Sequence, residues 1–306
     1  MRYGALEAGG TKMVLAIGDE NGVILEQKTI PTLTPEETVP QMISYFKEKM
    51  AEEPLEGIGV ASFGPVDVRE GSPSYGTILD TPKLAWKQYP LLATLKEQLH
   101  LPMGLDTDVN ASCLGEVTYG SARGLADVVY YTIGTGIGGG IMSGGKMVHG
   151  MLHAEAGHVL MTPRKGDEGN CICPYPPNGC FEGLASGPSI EKRWGKKAIE
   201  LADKAEVWEL EAEYIAEALV NTIFMLSPRR IILGGGVMHQ MQLFPLIRRK
   251  VQEKVNGYIR TKDLEAMDKY IVPASLMDDQ GIMGCIRLAQ LAAMAHDDEG
   301  ENTWQM

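Results

Sequence analysis

The chain has 306 residues, 44% apolar and 22% charged, a size and balance that allow one large α/β domain or two lobes and exclude a disordered or fibrous protein. Its 28 basic residues against 40 acidic ones leave a net charge of −12, which disfavours non-specific binding to nucleic acid or to an anionic membrane. The longest uncharged stretch, Val128 to Gly145, is too rich in glycine for a membrane helix, and the opening residues Met1 to Glu7 lack the apolar core of a signal peptide. A cytoplasmic protein with reduced thiols is therefore expected, so the three cysteines between 171 and 180 point to metal ligation rather than disulfides.

In chain order, Met13 to Ile17 and Val23 to Leu25 read as strands around an Asn21-Gly22 turn. Thr34-Pro35-Glu36-Glu37 supplies a helix cap, a proline for the first turn and a capping-box glutamate, followed by apolar residues at helical spacing. A buried strand is predicted from Ile58, a helix over Leu91 to Leu99, and a strand ending at Leu105-Asp106-Thr107-Asp108 with a helix from Asn110. The next strand, Val128 to Ile133, runs through a Gly-Thr bend into a second strand and a tight turn, repeating the pattern around Gly9-Gly10-Thr11 as a weak internal duplication. Residues 162 to 182 lack periodicity and read as a loop. Helices follow over Pro188 to Trp194, Trp208 to Leu226, Leu243 to Tyr258 and Gly281 to His296, with strands at Arg230 to Leu233 and Tyr270 to Val272. The division expected is a small lobe, 1–115 plus 286–306, and a large lobe, 116–285, that carries the metal loop at about 158–182.

Two glycine bends, Glu7 to Lys12 and Gly134 to Gly140, expose backbone N–H groups and threonine hydroxyls of the kind that hold phosphate oxygens. Each alone reads equally as a tight hairpin; a pair in facing lobes suits one triphosphate. The second bend also spells G-x-G-x-x-G, but it runs into another hairpin rather than a helix, which argues against a dinucleotide fold. No P-loop sequence occurs. A third bend, Gly234-Gly235-Gly236, follows a strand and suits a base and ribose, or is a plain strand-to-helix turn.

Asp108 stands where a strand ends and a helix begins, the edge at which open α/β sheets place ligands. It either helps to cap that helix or accepts the proton of an attacking hydroxyl. His158, Cys171, Cys173 and Cys180 offer four ligands of the types preferred by Zn²⁺, a complete and therefore structural set. Glu155 and Glu182 flank them and either face solvent or accept hydrogen bonds from vicinal hydroxyls of a polyol. His100, His149, His239 and His296 have no partner legible in the sequence.

Taken together, Glu7-Ala8-Gly9-Gly10-Thr11-Lys12, Thr107-Asp108-Val109-Asn110-Ala111, the Gly134 to Gly140 run, Glu155-Ala156-Gly157-His158, Gly179-Cys180-Phe181-Glu182 and Leu233 to Gly236 resemble the ROK family of bacterial sugar kinases and repressors. The stretches Asp80 to Trp86, Cys173-Pro174-Tyr175 and Glu182 to Pro188 are most similar to its fructokinase branch. The resemblance implies a two-lobed, actin-like (ribonuclease-H-like) α/β ATPase fold with a zinc-binding loop, ATP with Mg²⁺, and a homodimer with structural Zn²⁺. It implies Asp108 as catalytic base and Gly64, Thr107, Glu155, His158 and Glu182 at the sugar. Gly10, Thr11, Lys12, Thr135 and Gly136 would lie at the phosphates, with Gly235 and Gly236 near adenosine. Three departures stand out: Glu7 where many members have Asp, Thr107 where Asn is common, and Pro176 where fructokinase-like loops carry His, which leaves either Cys171 as the replacement fourth ligand or three ligands alone.

The expectation is ATP-dependent phosphorylation of a hexose, foremost fructose at O6, with lobe closure excluding water. Glucokinase, mannokinase and a sugar-responsive regulator of the same family are the alternatives, with an NAD-dependent oxidoreductase further off. The family's regulators carry a helix-turn-helix ahead of the first glycine motif, for which Glu7 leaves no room.

Overall fold

The computed structural model describes residues 1–175 and 179–302, so Pro176 and the last four residues lie outside the described part. Two compact units form: Met1–Arg123 with Met147–His153 and Asp279–Met306, and Gly124–Lys146 with Ala154–Asp278. The divisions expected after residues 115 and 285 would instead cut through two continuous helices, α3 (Asp108–Thr118) and α10 (Gln280–Asn302).

The first unit is built on a sheet of β1 (Arg2–Ala8), β2 (Lys12–Asp19), β3 (Ile24–Pro31), β4 (Ile58–Ser62) and β5 (Met103–Thr107), in the order β3-β2-β1-β4-β5. The first three strands are antiparallel, and β4 and β5 run parallel to β1. Helix α1 (Pro35–Glu52) starts at the predicted capping box of Thr34 and Glu37. It packs Met42 and Phe46, with Leu92 and Leu95 of α2 (Leu91–Leu99), on the sheet face that carries Leu6, Leu15 and Val60. The opposite face carries Ala5, Ala16 and Ala61 against Ile282 and Ile286 of α10. Small residues let α10 approach: a Cβ on Gly59 of β4 would strike the Cys285 carbonyl, and one on Gly284 would strike that of Ala111 in α3.

The second unit holds β6 (Val128–Ile133), β7 (Ile137–Ser143), β8 (Lys146–Met147), β9 (Arg230–Gly234) and β10 (Ile271–Pro273). Its order, read β8-β7-β6-β9-β10, repeats that of the first sheet, again with an antiparallel hairpin beside parallel strands. The duplication seen in the sequence is thus a repeated topology. Helices α4 (Phe181–Ala185), α5 (Gly187–Trp194), α6 (Ala205–Leu226) and α7 (Leu243–Val255) precede the one-turn helices α8 (Lys262–Glu265) and α9 (Met267–Tyr270). Their core joins Phe181, Trp208, Ile215 and Phe244 to Ile231 and Leu233 of β9. α7 stops three residues short of the expected Tyr258 because Asn256 and Gly257 take left-handed backbone, φ 47° and 68°. No helix among the described residues is long and apolar enough to cross a membrane.

Candidate active site

The bend between β1 and β2 closes when the Gly9 N–H donates to the Lys12 carbonyl at 3.0 Å. Thr32 braces it from outside, its hydroxyl donating to the Gly9 carbonyl at 2.7 Å and its N–H to that of Thr11 at 3.1 Å. These bonds leave the N–H groups of Gly10 and Thr11 without a protein acceptor among the described residues, as an oxyanion cradle requires. Glu7 is the last residue but one of β1, just before this corner, and its pKa is raised to about 7, first by burial and then by the Asp108 and Asp279 charges, with Lys12 opposing.

Asp108 is the first residue of α3, directly after β5. The cap of that helix is Thr107, whose Oγ1 accepts the Asn110 N–H at 3.1 Å, so capping does not account for the Asp108 carboxylate. Its Oδ1 accepts the Val109 N–H at 2.9 Å. On either side the turn is clamped: the buried Asp106 accepts from the Thr107 N–H at 2.8 Å and from the Asn110 side chain at 2.7 Å. His149, which the sequence left unassigned, completes this clamp with Nε2 at 3.0 Å from Asp106 Oδ2, and the carboxylate raises its pKa. His153 accepts the Val66 N–H at 3.3 Å, just beyond Gly64 and the cis Gly64-Pro65 bond. These two histidines explain why Met147–His153 belongs to the first unit.

Lys83 was not singled out from the sequence. Its Cε lies 2.9 Å from the point a Cβ on Gly10 would occupy, and its ammonium makes no ion pair among the described residues.

In the second unit the Gly134 N–H donates to the Gly136 carbonyl at 2.9 Å, closing the bend between β6 and β7. The chain continues into the hairpin strand β7, not into a helix, as the hairpin reading required. Here one donor is taken: the Ile137 N–H donates to Glu182 Oε2 at 2.9 Å. Glu182, in the first turn of α4, is thereby tied to the glycine corner, while the N–H groups of Thr135 and Gly136 keep no acceptor among the described residues. Gly235 has φ 89° and leaves no room for a Cβ, which would lie 2.6 Å from the Ile133 carbonyl oxygen. Gly236 faces open space and begins a 3₁₀ turn, Gly236–His239, ahead of α7.

Glu155 is exposed and His158 half-buried on the 3₁₀ turn Ala156–His158. The ligand atoms of His158, Cys173 and Cys180 lie within 4.8 Å of one another, with His158 Nδ1 at 3.7 Å from each sulfur. Nitrogen and two sulfurs at this separation match the donor set of Zn²⁺. Cys171 lies outside the group; its sulfur packs on Gly183, so the expected set of four is reduced to three among the described residues. Burial pushes the Cys180 thiol up to about 12. The loop is also anchored without metal, because the buried Asp167 accepts from Arg193 at 2.6 Å, Tyr214 at 2.5 Å and Asn170 at 2.6 Å.

Comparison with known proteins covers almost the entire chain. The model of the ROK family matches residues 3–292. A protein of Bacillus subtilis (strain 168) is 47% identical over 299 residues, 97% of this chain and 98% of its own. The fructokinase of Pediococcus pentosaceus is 42% identical over 292 residues, 95% of this chain and 99% of that one. Among solved structures, a ROK family glucokinase from Streptomyces griseus in complex with glucose and AMPPNP aligns with a TM-score of 0.73 and 25% identity, covering 95% of this chain and 100% of that one. With both glycine corners and the strand-end aspartate inside the matched span, the chain belongs to the ROK family and has the two-sheet α/β fold of its sugar kinases.

Proposed function

We propose that the protein is an ATP-dependent hexose kinase, a phosphotransferase with an alcohol acceptor, that converts fructose to fructose 6-phosphate. The observation that carries this reading is the likeness to the Pediococcus fructokinase along nearly the full length of both chains. Geometry supports it in one respect above others: Asp108 and the Gly10–Thr11 corner lie in one unit, at the ends of strands of one sheet, and Asp108 is close enough to Glu7 to raise its pKa. A carboxylate so placed is suited to accept the proton of a sugar hydroxyl. The hydroxyl oxygen then bonds to the γ-phosphorus while the bond to the bridging oxygen breaks, and its electron pair leaves with ADP.

In this reading Gly10, Thr11, Lys12, Thr135 and Gly136 hold phosphate oxygens through N–H, hydroxyl and ammonium groups. Gly235 and Gly236 lie beside adenosine, and Gly64, Thr107, Glu155, His158 and Glu182 hold the sugar. His158 serves both sugar and metal because Nδ1 faces the sulfurs and Nε2 points elsewhere on the ring. The negative charges crowded around Glu7 suit a cation, and Glu7 would help to hold Mg²⁺. When bound, Mg²⁺ supplies charge neutralisation of the triphosphate. His158, Cys173 and Cys180 would hold Zn²⁺ as a structural brace.

The Streptomyces glucokinase favours glucose as the second reading. A coupled ADP assay with fructose, glucose, mannose and N-acetylated hexosamines separates the two. Fructose should give the highest kcat/KM; an equal or higher value for glucose would replace fructose by glucose and leave the kinase standing.

A further inference from the structure

Lys83 lies on a short segment that the fold holds at both ends. Upstream, the Leu79 N–H donates to the Pro65 carbonyl at 2.8 Å and the buried Thr81 hydroxyl accepts the Lys83 N–H at 3.4 Å. Downstream, the buried Trp86 donates its indole N–H to the Leu33 carbonyl at 2.7 Å and packs edge-on against Phe63 at 6.0 Å. The main chain at Lys83 is therefore fixed, and the side chain runs over the first glycine corner, with Cε 2.9 Å and Nζ 3.9 Å from the position of a Cβ on Gly10.

Here the lysine forms no ion pair among the described residues, although Glu7, Asp108 and Asp279 make this end of the sheet acidic. The corner over which it runs carries the N–H groups of Gly10 and Thr11, also without acceptors among the described residues. One unpaired cation and two unpaired N–H donors around one corner are complementary to a multiply charged, oxygen-rich anion, and a transferring phosphoryl group is one.

We propose that Lys83 is a catalytic residue of the phosphoryl transfer, its ammonium contacting the γ-phosphoryl oxygens at the Gly10 corner. This rests on the kinase reading above. In the step already described, sugar oxygen to phosphorus forming and phosphorus to bridging oxygen breaking, the ammonium takes no proton and forms no bond. It stabilises the charge on the equatorial oxygens, and Gly10, without a side chain, leaves the lysine stem room over the corner.

The test compares wild type with Lys83→Met and Lys83→Arg, measuring sugar-dependent ADP release, MgADP affinity by calorimetry and Tm. Lys83→Met should lower kcat by about a hundredfold, the usual cost of one preorganised donor to the developing charge. KM for fructose, MgADP affinity and Tm should stay near wild type, because ADP lacks the group that Lys83 contacts, and Lys83→Arg should recover part of the rate. Wild-type kcat in Lys83→Met would overturn the assignment. So would a loss shared by kcat, MgADP affinity and Tm that arginine does not relieve, since that marks a structural lysine. Absence of sugar-dependent ADP release by wild type would instead overturn the kinase reading, and the role of Lys83 with it.

Discussion

Glu7 shows how one residue joins burial to chemistry. Its neighbours Asp108 and Asp279 share its sign, and burial removes water that would solvate its charge, so the folded chain holds its proton up to about pH 7. Between the ordinary glutamate range and that value the folded state binds more protons than the unfolded one, and stability therefore falls as pH rises through the window. The loss is about 3 kcal/mol at most, on 1.36 kcal/mol for each pKa unit. Glu7→Gln should remove it: thermal denaturation at pH 5 and pH 8 should show a smaller drop in Tm for the variant than for wild type. An equal drop in both would show that Glu7 is already ionised at pH 5. Charge at this position is useful only when a cation answers it, which agrees with a site that binds a metal-bound nucleotide.

Among the elements, the loop that carries the cysteines brings together two sets of side chains of different kinds. Asp167 gathers Arg193, Tyr214 and Asn170 beneath its first half, a buried polar network whose members all find partners. At its two ends stand His158, Cys173 and Cys180, a group that would be drawn together further by an ion. The Asp167 network holds its part of the loop without metal. Metal analysis of the purified protein should find about one zinc per chain, as three or four protein ligands imply. Cys173→Ser should lower zinc content and Tm together while leaving Asp167→Asn to weaken the loop separately. Full zinc occupancy in Cys173→Ser would exclude that sulfur as a ligand.

For the molecule as a whole, what was legible in the sequence had a local signature. The capping box at Thr34 and Glu37, the strand-to-helix junction at Asp108 and both glycine hairpins are each written within a few residues. What stayed hidden depends on pairs distant in the chain. His149 reaches Asp106 across 43 positions, His153 reaches Val66 across 87, and Glu182 reaches the Ile137 N–H across 45. No periodicity marks such a partner, so the return of Met147–His153 to the first unit, the clamp on the Asp108 turn and the tether on Glu182 required the fold. Lys83 belongs to this class: the segment from Leu79 to Trp86, anchored at both ends, brings its side chain to Gly10. The repeated sheet order gives these pairs a common logic, because each unit offers a hairpin corner at one end of a parallel array.

The central claim is that Asp108 takes the proton from a sugar hydroxyl as phosphate leaves ATP. Steady-state turnover of Asp108→Asn with fructose and ATP, alongside fructose binding by calorimetry, tests it most directly. A fall in kcat of about a hundredfold or more, with fructose affinity close to wild type, is expected. A variant that turns over at the wild-type rate would contradict it.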